Sequence, residues 1–457
     1  MKPTAQVTVA KAKPELSSQN SRLLQPQIFR PVQYLGSKLR TLESIAEAVE
    51  VVAPRRSRTI DMFSGTSVVS QMLAVLGHEV VSCDSQQSCH VMASAMLGVS
   101  RTPNDLLSNN LIAEISDKTE EEDFFEDWRA LVQLEDAAIE EQNADALHAL
   151  NAQFPLVWRV GQKNRYVEII RELGTVSVLR KAPLFASLLA GTYFGMRQAL
   201  SIDSIRLRIE QAHSRNRIST WQYSACLTAL MSAMSKAVFS AGKHFAQPLT
   251  SGKSKSAFRS NRLLQDRSIS IVREFAAAAH AIDRLAQTGD RKHSAICAPV
   301  KDMYAGLKDY QPDVVYADPP YTAQQYSRFY HALDTLIAYR APHLNHQGRV
   351  TTGLYPSDRF RSEFSSKRAA PAAFHELLTS IYKVRATLIL SYSDSQYRSN
   401  GNARMISRAA LLEMCRSVFG PSKVEQLQLN HAYRQFNAIS LSNKDRNDSE
   451  FLILCRC

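Results

Sequence analysis

No stretch of this chain approaches the roughly eighteen consecutive apolar residues that a membrane span needs, so a transmembrane protein is not expected. The opening MKPTAQVTVAKAKPELSSQN has no apolar run of the kind a secretory signal carries, and export is likewise not expected. Cysteine is sparse, odd in number at seven, and scattered, with no spacing that suits a disulfide framework or a zinc site. That usage fits a reducing cytoplasm, and no metal centre is expected. No internal repeat is found either. Acid is also in short supply: 43 Asp and Glu stand against 55 Lys and Arg, for a formal charge of +12. A polyanion is the natural partner for such a surface, and nucleic acid is the commonest polyanion.

With 457 residues the chain has room for two domains, or for one domain carrying a large insertion. Residues 1–30 are polar and without period, and read as a disordered tail. RTIDMF (58–63) has the look of a short buried strand, followed by a Gly-containing turn and an apolar helix. EVVSC (79–83) reads as a second strand. Strand, helix, strand opens a doubly wound parallel sheet, which places the chain in the α/β class. The alternation then stops. Residues 99–290 are dominated by helical patterns, with a basic, Ser-rich segment at 251–267 that reads as a loop. Strands return near Cys297, at DVVYA (313–317) and at TLILSY (387–392). The last two, VEQLQL (424–429) and FLILCRC (451–457), have no long helix between them and should pair antiparallel at the sheet edge. Seven strands result, divided by one helical insertion.

The sharpest local signal is Asp318-Pro319-Pro320-Tyr321, directly after DVVYA, where ligands bind in parallel sheets. Pro320 holds Pro319 extended, which fixes the direction of the Pro319 carbonyl, and Asp318 supplies a charged acceptor beside it. Two acceptors suit an aromatic amine, whose two N–H bonds must be gripped before its delocalised lone pair can attack an electrophile. Tyr321 offers a face for a flat base. The plain alternative is a surface turn, for which Asp-Pro-Pro is good chemistry. Because Asp318 lies beyond the strand, its replacement by Ala is expected to leave the fold intact. Three weaker signals accompany it. Asp61-Met62-Phe63-Ser64-Gly65-Thr66 ends the first strand; Asp84 follows the second, where it can accept from ribose hydroxyls or simply cap a helix; Tyr34-Leu35-Gly36-Ser37-Lys38 lies upstream.

In this order and on these elements, the four motifs resemble the Dam-like (D12) class of adenine-specific DNA methyltransferases, as do QQYSRFYHALDTLIAY (324–339) and SYSD (391–394). The resemblance covers residues 31–98 and 290–457. It implies a Rossmann-like S-adenosylmethionine methyltransferase fold: a seven-stranded, mostly parallel sheet with an antiparallel last strand, plus the helical insertion. It also implies that residues 31–98 form a cofactor-binding half and residues 291–457 a catalytic half. S-adenosyl-L-methionine would then meet Tyr34 and Lys38 on its methionine side, with Asp61 near its amino group. Phe63 and Gly65 would wrap it, Asp84 would take its ribose, and Asp318 would lie close by. Asp318, Pro319, Pro320 and Tyr321 would bind a flipped adenine. Ser67 departs from the pattern by standing where many relatives have a second glycine, and Asp302 is a further candidate beside the cofactor's adenine.

A base inside a duplex cannot reach such a pocket, so duplex DNA must be held while the base is extruded. The insertion is the candidate, through a basic amphipathic pattern over residues 193–217 that includes Arg197, and through Lys253, Lys255, Arg259 and Arg262. Its plain alternatives are a core helix with a solvated basic face and a flexible linker. Cytosine N4, adenine in RNA, or a non-catalytic DNA-binding relative remain open on these residues, and no oligomeric state follows from them.

Overall fold

The computed structural model describes residues 27–117, 119, 122–159, 168, 183–249, 257–287, 292–346, 349–393, 403–433 and 448–457, with no side chain at 430–433 or 448–449. Lys253, Lys255 and Asp394 fall outside these residues. Among the described residues there are nine strands: β1 (Arg58–Met62), β2 (Glu79–Asp84), β3 (Ser294–Cys297), β4 (Val314–Ala317), β5 (Asn345–His346), β6 (Arg349–Val350), β7 (Thr387–Ser393), β8 (Val424–Tyr433) and β9 (Asp448–Cys455). Seven form one sheet in the order β3-β2-β1-β4-β7-β9-β8, while β5 and β6 make a separate hairpin. β3, β2, β1, β4 and β7 are parallel; β9 pairs antiparallel with both β7 and β8. The final pair is therefore antiparallel as the sequence suggests, with the last strand inserted between its neighbours and β8 at the edge.

Helices cover both faces. α1 (Leu42–Val52) and α2 (Val68–Val75) pack one face, where Ile45, Val49 and Met72 meet Val314, Tyr316 and Ile389. α3 (Gln87–Met96) follows β2, and the insertion contains α4 (Asn109–Ser116), α5 (Asp123–Glu140), α6 (Ala144–Gln153), α7 (Leu184–Leu189), α8 (Met196–Ser214), α9 (Thr220–Ala237), α10 (Ala257–Arg267) and α11 (Ile271–Leu285). α12 (Val300–Tyr310), α15 (Ala370–Lys383) and α16 (Arg408–Phe419) cover the other face; α13 (Tyr326–Phe329) and α14 (His331–Ala338) lie before α15 in the chain. Phe329, Tyr330, Leu333 and Leu336 join the core of the insertion, so the segment after the Asp-Pro-Pro-Tyr turn is packed into it. Such central strands, buried on both faces, read as continuous apolar runs, as Val314-Val315-Tyr316-Ala317 does.

Three expectations change. The segment at 251–267 is not all loop: residues 257–267 form α10, with Leu263 buried and Arg262 paired to Asp266 one turn on at 2.7 Å. The low apolar content of AFRSNRLLQDR hides a helix whose turns are tied by charge. The basic pattern at 193–217 is not an amphipathic surface helix, because α8 is buried over most of its circumference. Arg206 is 2% exposed, bonded to Glu210 and to the carbonyls of Leu336 and Ile337. Finally, the chain is fixed before residue 31: the Gln71 amide exchanges two hydrogen bonds of 2.9 Å with the Phe29 backbone. Among the described residues no helix is long and apolar enough to cross a membrane.

Candidate active site

The carboxyl ends of β1, β2 and β4 open on a cavity of about 280 Å³. Of the residues singled out in the sequence, Tyr34, Phe63, Asp84, Asp318 and Pro320 line it, together with Gln325, Tyr326, Val300, Met303 and Phe364. Lys38, Asp61, Gly65, Pro319 and Tyr321 stand behind this lining. Asp302 opens α12, while its neighbours Lys301 and Met303 line the wall.

The turn after β1 is built from unusual backbone. Phe63, Gly65 and Ser67 all take positive φ, at 62°, 54° and 61°. For Phe and Ser this conformation is strained, and such strain is commonly held at functional sites. Gly65 cannot be replaced freely, since a Cβ there would stand 3.0 Å from Cε1 of Tyr34. Ser67 thus occupies a glycine-like conformation despite its side chain. Asp84 fixes this turn from β2: its Oδ2 accepts from Gly65 N–H and its Oδ1 from Gln86 N–H, each at 3.0 Å. Burial raises its pKa above the ordinary 3.8 against these two donors.

Tyr34 lies in a stack that the isolated motifs did not announce. Its ring is 4.3 Å from Tyr330 and 5.3 Å from Tyr326, near-parallel to both. Tyr330 Oη also accepts from Leu35 N–H at 2.7 Å. Asp334 completes the attachment, its two oxygens accepting from Ser88 N–H and from the Gln86 amide, both at 3.0 Å.

At the cavity lies a buried charge cluster. Lys38 Nζ lies 2.8 Å from Asp318 Oδ2 and 3.9 Å from Glu450 Oε1. Burial opposes the charged ammonium, but Asp318, Tyr321 and Glu450 around it hold its pKa well above the ordinary value. Burial pushes the Asp318 carboxyl from 3.8 to about 6 in spite of Lys38. Its Oδ1 is buried and makes no hydrogen bond of ordinary length among the described residues, with Ser391 the nearby hydroxyl that favours the charged carboxyl, and a ligand N–H would satisfy it. Asp61 is pushed by burial to about 7 and accepts from Ser70 Oγ at 2.5 Å. Tyr321 is 7% exposed, edge-on to Tyr392, with the Arg404 guanidinium 4.9 Å from its ring centre. Its aromatic face is already engaged, unlike the open platform suggested by the tetrapeptide.

These positions set a pH dependence. A chemistry that needs ionised Asp318 should slow as pH falls below about 6, where the carboxyl takes up its proton. Below that point the single-turnover rate should drop close to tenfold per pH unit; a flat profile would mean that the charge of Asp318 is not used. The stability effect has the same origin: between 3.8 and about 6 the folded carboxyl binds its proton more tightly than the unfolded one, so its contribution falls as pH rises through that window.

Glu450, on β9, escaped motif reading; Tyr326, Tyr330 and Asp334 lie in the 324–339 segment noted for its resemblance, but their contacts, made from two short helices and the residue between them, appear only in the fold. A sequence profile of the D12 class N6 adenine-specific DNA methyltransferases matches residues 34–248 and 279–382. Modification methylase LlaI of Lactococcus lactis subsp. lactis is 24% identical over 269 residues, which is 55% of this chain and 35% of that protein. The chain thus spans about a third of that curated relative. From the extent of the profile match, the chain belongs to the D12 class of N6 adenine-specific DNA methyltransferases.

Proposed function

We propose that this protein transfers a methyl group from S-adenosyl-L-methionine to the N6 amino group of an adenine extruded from duplex DNA. The observation that carries this reading is the unsatisfied, buried Oδ1 of Asp318 at the cavity beside the Pro319-Pro320 turn. It is an acceptor held in place before any ligand arrives. With the Pro319 carbonyl it can take both N–H bonds of the amine and aim the nitrogen lone pair. Lys38 keeps the acceptor ionised, and the cavity walls exclude water.

The residues fit the cofactor. Asp84 offers remaining lone pairs to ribose hydroxyls, and Phe63, Val300, Met303 and Phe364 supply apolar walls suited to a purine. The cofactor brings the electrophilic methyl; the protein binds, orients and accepts. Gly65 and Lys38 support the site from behind, Gly65 by letting Tyr34 approach and Lys38 through Asp318. Asp61 is proposed to act near the cofactor's amino group from its buried position. Tyr321 would meet the base after Arg404 shifts. For the DNA itself, Arg259 and Arg262 on α10, and Arg197 at the start of α8, remain proposed phosphate contacts, as do Lys253 and Lys255; Arg197 and Arg262 would have to leave Asp136 and Asp266 to serve.

Titration calorimetry should show cofactor binding without DNA, because Tyr34, Phe63 and Asp84 are already in place. Asp84→Ala should weaken it by ~1–3 kcal/mol through lost charge-assisted hydrogen bonds. Because Asp84 also ties Gly65 and Gln86, the loss should include a looser turn, seen as faster amide exchange there. The reaction is tested by incubating labelled cofactor with DNA and analysing the nucleosides. Label in N4-methylcytosine in place of N6-methyladenine would overturn the choice of base.

A further inference from the structure

The insertion's arginines are largely spoken for: Arg197, Arg208, Arg217 and Arg262 each pair with a carboxylate. A different cluster has no such partner. Arg328 on α13 and Arg359 flank Tyr355, with guanidinium carbons 5.6 and 4.6 Å from its ring centre. Arg361 follows two residues on at the cavity wall. Among the described residues none of the three makes an ion pair, and the Nε atoms of Arg328 and Arg359 are buried without a hydrogen-bond partner. The charges repel: burial, then Arg361 and Arg328, depress the Arg359 pKa. Stacking on Tyr355 offsets part of this repulsion, and an anion between the guanidiniums would relieve the rest.

The setting says which anion. Between the arginines stands Phe360, 46% exposed, yet lining the same cavity as Asp318 and Pro320. The segment carrying these residues, 355–362, is a strap latched to the residues just after the Asp-Pro-Pro-Tyr turn. Ser327 Oγ donates to the Phe360 carbonyl at 2.5 Å, and Ser362 N–H donates to Gln325 Oε1 at 2.8 Å. Basic groups around an aromatic at the mouth of a base-sized cavity match a polynucleotide, with phosphates for the charges and a ring for the aromatic.

We propose that residues 355–361, with Arg328, grip the DNA backbone beside the target adenine, and that Phe360 gives the extruded nucleotide an aromatic face at the cavity rim. This rests on the methyl-transfer reading above. It places the grip next to the chemistry, on the catalytic half of the chain, in addition to any grip from the insertion.

The test uses the full chain and a labelled duplex with one methylatable site. Affinity is measured by fluorescence anisotropy from roughly 50 to 200 mM salt, where each phosphate contact contributes a slope of about 0.9 in log K against log salt. Arg359→Gln with Arg361→Gln should lower that slope by close to two contacts' worth, and Lys at both positions should restore most of it. Phe360→Ala should reduce the fluorescence rise of 2-aminopurine placed at the target, while Phe360→Tyr should keep it. An unchanged slope in the Gln variant, with the wild-type protein methylating the same duplex, would overturn the inference. Loss of cofactor affinity without a slope change would do so too, by making the strap a cover for the cofactor cavity. Failure of the wild-type protein to methylate any DNA would instead overturn the reading on which the inference rests.

Discussion

Asp318→Ala should slow methyl transfer by about 10²–10³, the usual loss when one oriented group of a charge-shaping pair is removed. Asp318 lines the wild-type cavity and its Oδ1 is unsatisfied, so on the proposed reading a methyl group in place of the carboxylate leaves the amine with a single acceptor. The sequence alone places the residue on a loop and so predicts an undisturbed fold. The structure corrects that view. Oδ2 of Asp318 is the nearest counter-charge of a lysine whose side chain is only 5% exposed. Removing it leaves Lys38 with Glu450 at 3.9 Å, so the variant should also lose part of the roughly 3–5 kcal/mol that breaking a buried pair costs. Asp318→Asn separates the effects, because it keeps the shape and an acceptor but not the charge. Single-turnover rates and urea midpoints, taken together, measure both. A wild-type rate in the Ala variant would displace the catalytic site from this turn.

Lys38→Met is expected to be the more damaging change to the fold. Asp318 and Glu450 would then face each other around an apolar side chain, with Asp61 close behind. Leaving buried charge uncompensated in this way costs roughly 3–5 kcal/mol. Part of that would be avoided by protonation, so the Asp318 pKa should rise beyond about 6 and carry the activity profile to higher pH. Residual activity that recovers on raising the pH would mark Lys38 as the residue that keeps the acceptor ionised. An unshifted profile in a folded variant would mean that it does not. Lys38 is a positioning residue by this account, working on the reaction through Asp318.

The sequence carried the parts of this architecture that depend on local pattern. Asp318, Asp84 and Phe63 were legible because each sits at the end of a short apolar strand, where a parallel sheet presents its ligand-facing turns. Even the departure at Ser67 was visible, although only the backbone shows that the serine adopts the conformation a glycine would take. What stayed hidden depends on distant pairing. Glu450 reads as an ordinary strand residue until β9 is placed beside β7, opposite Ser393. Tyr330 reads as a core aromatic until it stacks on Tyr34. The arginines of α8 misled in the opposite sense: charge spacing resembled a surface, whereas Arg206 is buried against helix-end carbonyls and Glu210. Charge counts do not distinguish a side chain that waits for a phosphate from one that holds two helices together.

The reach of Lys38 to Glu450 has a consequence for the order in which a new chain becomes competent. The lysine leaves the ribosome early, and its nearer partner Asp318 follows only after the whole helical insertion. The second partner, Glu450, lies on β9, which stands between β7 and β8 in the sheet. Contacts this far apart in sequence close late in folding. Throughout synthesis the growing polypeptide therefore holds an incomplete charge cluster, and a chain halted before β9 keeps every recognisable motif while its central lysine lacks one of its two counter-charges.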